Sequence, residues 1–166
     1  MLPIGILTKA RSLWTEGEAL EAGKLIFDSL PRESRPEWAA NILRLVLKRT
    51  GIKSPPIERV SSLARCSGDW NKAHEAFSMV RKAALKLEHL KPLTPPQTLL
   101  LRHLLLAELV AKVIYNATNP PDEFDEDSGW WIALCLKDIL NSVSDEEFSA
   151  AMWLALSDPP HTSQDI

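Results

Sequence analysis

Between positions 99 and 115 the chain is apolar on nearly every side of a helix, through Leu99, Leu100, Leu101, Leu104, Leu105, Leu106, Leu109, Val110, Val113 and Ile114. A helix of that kind has no face to offer to water, so other elements must surround it. Arg102, His103, Glu108 and Lys112 interrupt the run, and so many ionisable residues argue against a membrane span. The segment predicts the central helix of a packed bundle and disfavours an open solenoid, because it needs cover on all sides.

The rest of the chain supplies that cover as amphipathic segments, with no strand-like alternation between them. A first helix is expected over about 4–14 and a second from Glu16–Gly17 to Leu30, where Pro31 stops it. Ser34-Arg35-Pro36-Glu37 has the form of a capping box with an early proline. It opens a third helix that closes at Gly51, with Lys48 and Arg49 in the last turn where cations suit the dipole. Ser54-Pro55-Pro56 starts a shorter helix to about Cys66, and Ser67-Gly68-Asp69 caps the next, to about Leu90. In that helix Trp70, Ala73, Phe77, Val80, Ala84 and Leu87 recur at alternating steps of three and four, giving one stripe. Thr94-Pro95-Pro96-Gln97 is a second capping box, in front of the central helix, which is expected to end near Asn116. Asp127 or Ser128 caps a helix over about 130–140, and Ser144-Asp145-Glu146-Glu147 opens a last one to about Leu156.

At 166 residues the chain suits one domain with a core large enough to need no disulfide or metal staple. The expectation is all-α: seven to eight helices in hairpins, packed as a globular bundle around the 99–115 helix. The domain spans 1–156, with a disordered polar tail at 157–166.

Two stretches share a local pattern. In 10–30 and in 61–81 a helix ends and a glycine turns the chain (Gly17, Gly68). A small residue follows five positions on (Ala22, Ala73) and a large one nine positions on (Ile26, Phe77). The pattern is similar to the turn and second helix of tetratricopeptide repeats. The two glycines stand 51 residues apart, where that family repeats about every 34, and Ala64 and Arg81 replace Leu13 and Leu30. The likeness covers about a quarter of the chain and implies helical hairpins without membership of the family.

Charge is divided along the chain. Residues 40–91 carry eleven Lys or Arg against four acids, and 118–166 carry eleven acids against Lys137 alone. The net charge of −3 hides this. The bland reading is that the two regions face each other or are solvated helix faces. The functional readings are an acidic surface or a basic patch of Arg44, Lys48, Arg49, Lys53 and Arg59 that meets a partner. A sequence pI of 5.8 disfavours a dedicated nucleic-acid binder.

Residues that commonly carry chemistry do not form sites. In Asp122-Glu123-Phe124-Asp125-Glu126-Asp127 a calcium loop starting at Glu123 would need glycine at Ser128 and a bidentate acid at Leu134. His74-Glu75 has Ser78 where a zincin has its second histidine. No Glu-x-x-His occurs, since Asn71, Lys86 and Leu100 precede His74, His89 and His103 at that spacing. His74 and His89 fall among polar residues and are expected to face solvent. Cys66 and Cys135 lack any paired spacing and read as reduced thiols. The six glycines make no phosphate loop, and no Gly-x-Ser-x-Gly elbow occurs. No catalytic residue, metal or cofactor is expected. A pocket holding His103 with Glu108 is the one alternative, because a buried titratable pair is a site signal.

Six tryptophans remain. Trp14, Trp38, Trp70 and Trp153 lie in amphipathic segments as core or core-edge residues. Trp130 and Trp131 are adjacent, so on a helix they point about 100° apart and fit one narrow buried face poorly. Burial of both under neighbouring helices is the simpler packing. Exposure of one, beside the acidic loop, would create an interface anchor.

These observations lean towards a non-enzymatic protein–protein interaction module: an adaptor, inhibitor or assembly subunit. Its surface is Asp122, Glu123, Phe124, Asp125, Glu126, Asp127, Trp130 and Trp131, and its partner is another protein or a second copy. Nucleic acid bound through the basic patch, or a small ligand beside His103, are the alternatives. The apolar N-terminus has its cations, Lys9 and Arg11, after the apolar run and not before it, unlike a secretory signal, so a cytoplasmic location is expected.

Overall fold

A computed structural model describes residues 3–63, 70–90, 92–118 and 126–140. Among these residues there are seven α-helices and no strand. They are α1 (Ile4–Thr15), α2 (Ala19–Ser29), α3 (Arg35–Thr50), α4 (Pro55–Leu63), α5 (Trp70–Glu88), α6 (Pro95–Thr118) and α7 (Ile132–Ile139). Short 3-10 turns at Arg32–Ser34 and Glu126–Trp131 lead into α3 and α7. The fold is an all-α globular bundle, as the patterning requires. The last expected helix (144–156), the tail (157–166), Cys66 and the Ser67-Gly68-Asp69 cap lie outside the described residues.

The apolar segment is the central element. As α6 it spans 24 residues, about 36 Å at 1.5 Å per residue, and packs against α3, α4, α5, α7 and the second 3-10 turn. Its most extensive contact is with α5, where Ala73, Ala76, Val80 and Ala84 meet it along one face. Small side chains on that stripe, with Ala107 and Ala111 on α6, let the two axes approach closely. On the far side α1 and α2 form a hairpin, and α2 carries it onto α7 and the second turn. Ala22 and Ile26 of the repeat-like pattern are fully buried on α2, as is Ala73 on α5, so the shared spacing reflects hairpin packing. Among the described residues no helix is long and apolar enough to cross a membrane.

The local signals divide into those the fold obeys and two it overrides. At Thr94 the capping box forms in full: Gln97 N donates to Thr94 Oγ1 at 3.3 Å, and Thr94 N donates to Gln97 Oε1 at 2.9 Å. Gly51 closes α3 in the left-handed conformation, φ 69°, where a β-carbon would be strained. The box at Ser34 does not form. Ser34 is itself helical, φ −92° and ψ −15°, and makes no capping hydrogen bond. The 3-10 turn before it already satisfies part of the α3 start, with Ser34 N donating to Pro31 O at 3.0 Å. Towards the C-terminal end the expected helix over 130–140 is split: Ser128 sits inside the 3-10 turn, and the α-helix begins at Ile132.

Candidate interaction surface at the Trp130–Trp131 turn

The turn Glu126–Trp131 is held from beneath by close backbone approach. An added β-carbon on Gly129 would fall on the ring of Phe27, and one on Gly23 of α2 would lie 3.0 Å from the Trp130 carbonyl oxygen and 2.9 Å from the Ala133 β-carbon. Phe27 is buried, and it is braced by Trp38, with ring centroids 6.0 Å apart. Arg35 lies over the Phe27 ring at 4.3 Å and donates from Nε to the Phe27 carbonyl at 3.2 Å. The two glycines thus seat the turn on α2 and leave the Phe27 ring no room to shift.

The two tryptophans take different roles on this seat. Trp130 is half-buried: its Nε1–H donates to Asp28 Oδ1 at 2.6 Å, and Lys24 Nζ stands 4.4 Å from its ring. Lys24 and Asp28 are one helical turn apart on α2, so together they clamp one indole. Trp131 turns outward and is 41 % exposed, while its neighbours Ile132 and Ala133 are fully buried. The tertiary packing therefore exposes one tryptophan of the pair and half-buries the other. Asp122, Glu123, Phe124 and Asp125 lie outside the described residues; Glu126 and Asp127 begin the 3-10 turn.

The basic residues are partly engaged with the protein itself. Arg44 Nη1 donates to Asn41 Oδ1 at 2.6 Å and lies 3.6 Å from Glu37 Oε1, while its Nη2 is buried with no hydrogen-bond partner among the described residues. Arg59 pairs with Glu75 of α5 at 3.6 Å. Lys48, Arg49 and Lys53 are exposed around the C-terminal end of α3.

His103 and Glu108 face different helices. His103 is fully buried and meets Thr50 of α3, with Nε2 2.8 Å from Thr50 Oγ1 and Nδ1 2.7 Å from the Leu99 carbonyl oxygen. Glu108 is 8 % exposed and meets α5, where Arg81 Nη1 lies 3.5 Å from its carboxylate; Lys112 Nζ of α6 completes the group at 4.0 Å. Five positions on a helix separate the two by roughly 140°, which is why they do not converge on one pocket. Burial lowers the His103 pKa below its ordinary value, and the Leu99 carbonyl opposes that shift. Burial, helped by the charge of Asp138, pushes the Cys135 thiol up to about 11, the opposite of an activated nucleophile. His74 and His89 are exposed, as their helix pattern implies.

Sequence patterning did not single out Lys24 and Asp28, because the polar face of α2 gives no sign of which residue will meet an indole 102 positions away. No family model, no curated protein and no solved structure matches the chain.

Proposed function

We propose that this protein is a non-enzymatic protein–protein interaction module that docks through the Trp130–Trp131 turn. One observation carries the reading: an exposed tryptophan, Trp131, stands on a turn whose underside is fixed by Phe27, Gly23 and the Trp130–Asp28 hydrogen bond. Tryptophan is enriched among interface hot spots, and an anchor that is already ordered loses little entropy on binding. Glu126 and Asp127 begin the turn and further acids precede it in sequence, at 122, 123 and 125, a local charge that favours a cationic partner. We place the module in the cytoplasm, on the ground that two cysteines without paired spacing suit a reducing compartment.

The test is affinity capture of the tagged protein over a salt series, comparing wild type with Trp131→Ala and with Leu85→Ala, a control at another exposed apolar residue. A stoichiometric protein that survives moderate salt, is lost from Trp131→Ala and is kept by Leu85→Ala supports the proposal. Retention by Trp131→Ala sinks it. Nucleic acid that falls away steeply with salt would transfer the function to Lys48, Arg49 and Lys53.

A further inference from the structure

Of the five exposed large apolar side chains among the described residues, three lie together on or just past α5: Met79, Leu85 and Leu90. Single exposed apolar residues are ordinary, but a concentration on one element marks a contact surface. Lys82 and Lys86 stand among them, exposed, and make no ion pair with any described residue. The acids of α5 do not offset these cations. Glu75 pairs with Arg59 of α4, and Glu88, two positions past Lys86, points roughly 160° away from it. Lys72 and His89, also exposed, add no negative charge. A second α5 laid on this face would set lysine against lysine, so the face suits an occupant that is both acidic and apolar.

The chain itself carries such a segment. Residues 141–166 hold Asp145, Glu146, Glu147, Asp158 and Asp165 and no Lys or Arg. After the first three acids, Phe148, Ala151, Met152 and Ala155 recur at helical spacing, in the stretch expected as the last helix. The segment also starts within reach. Arg102 of α6 donates to the Asp138 carbonyl of α7 at 3.5 Å, so α7 ends beside Arg102. Arg81 of α5 meets Glu108 of α6, and a short connection makes these two helices antiparallel, which sets Arg102 at the level of Leu87. Both α5 and α7 pack on α6. The residues 141–144 can span at most roughly 14 Å, against a helix width of about 10–12 Å, enough to bring residue 145 from α7 across to α5.

We propose that the segment 144–156 docks on the outer face of α5 in the same chain. Asp145, Glu146 and Glu147 pair with Lys82 and Lys86, and the stripe through Phe148 and Met152 covers Met79, Leu85 and Leu90. The contact joins the acidic end of the sequence to its basic middle. It is independent of the Trp131 surface.

The experiment is cross-linking of the full chain with a water-soluble carbodiimide, which joins an amine to a carboxylate in direct contact, followed by mass spectrometry. A mixture of ¹⁴N- and ¹⁵N-labelled chains identifies which chain supplies each partner. Links from Lys82 or Lys86 to 145–147 are expected, with both halves carrying the same label. Hydrogen exchange is the second readout. Lys82→Glu/Lys86→Glu should speed amide exchange across 148–155 by roughly two- to fivefold for each lysine, the size of one exposed ion pair. Lys48→Glu/Lys53→Glu, an equal reversal at exposed positions around the end of α3, should leave it unchanged. Links of mixed label would give the face to a second copy and overturn the proposal. So would the absence of links to 145–147, exchange unaffected by the α5 reversal, or an equal effect of the two reversals.

Discussion

Thr50 Oγ1 lies 2.8 Å from His103 Nε2 and 2.9 Å from the Val46 carbonyl oxygen, so one hydroxyl hydrogen faces two acceptors. His103 Nδ1 faces a carbonyl and must carry hydrogen, which leaves Nε2 of the neutral ring as an acceptor for the Thr50 hydroxyl. On protonation Nε2–H donates to Thr50 Oγ1, and the hydroxyl is free to donate to Val46. This link ties the end of α3 to the central helix.

His103 makes the fold acid-sensitive. Its folded-state pKa lies below the ordinary value of about 6.5, so between the two values the unfolded chain binds the extra proton. The contribution to stability is complete above that value and is lost as pH falls below it, by up to about 1.4 kcal/mol per pH unit. Urea denaturation at a series of pH values from 7.5 to 5 should show a shallower acid slope for His103→Gln than for wild type. Equal slopes would assign the acid sensitivity elsewhere.

Thr50→Val should destabilise by about 1–2 kcal/mol, because it leaves the buried Nε2 without a donor. Thr50→Ser keeps the hydroxyl and should recover most of that loss. A combined Thr50→Val/His103→Leu variant, which removes both polar groups, should cost less than the sum of the single changes. Strict additivity in chemical denaturation would mean that the two residues are not coupled.

Gly129→Ala should be among the most damaging small substitutions in the protein. The new methyl group meets the Phe27 ring, which Trp38 and Arg35 hold in place, and overpacking of this kind costs about 1–3 kcal/mol. Gly5→Ala is the counterpart: Gly5 is inside α1 with open space around it, so the change should raise the thermal midpoint through helix propensity. A Gly129→Ala midpoint equal to wild type would mean that the turn is not seated on Phe27.

Glu108 is buried against Arg81 and Lys112, and Arg81 is itself 43 % exposed. Arg81→Met should cost about 1 kcal/mol, since Lys112 and solvent still compensate part of the carboxylate charge. Glu108→Leu should cost no more than that, because it removes the desolvated charge instead of leaving it unpaired. Thermal denaturation of the two variants gives the order, and a much larger loss for Glu108→Leu would contradict it.

Helix positions and the central place of α6 were legible in the chain because their causes are local. Periodicity, the Thr94–Gln97 box and the Gly51 cap act within about one turn, and a segment apolar on all sides can have only one kind of neighbourhood. The expectation failed at Ser34, where the chain entering α3 was already turning and the cap was not needed. Only the tertiary structure decided which tryptophan of the pair faces outward, that Trp130 meets Asp28, that Gly129 lies under Phe27, and that His103 and Glu108 have partners on opposite sides of α6. Each of these depends on how helices distant in sequence are rotated against one another, and helical periodicity says which face is buried without saying what it will meet.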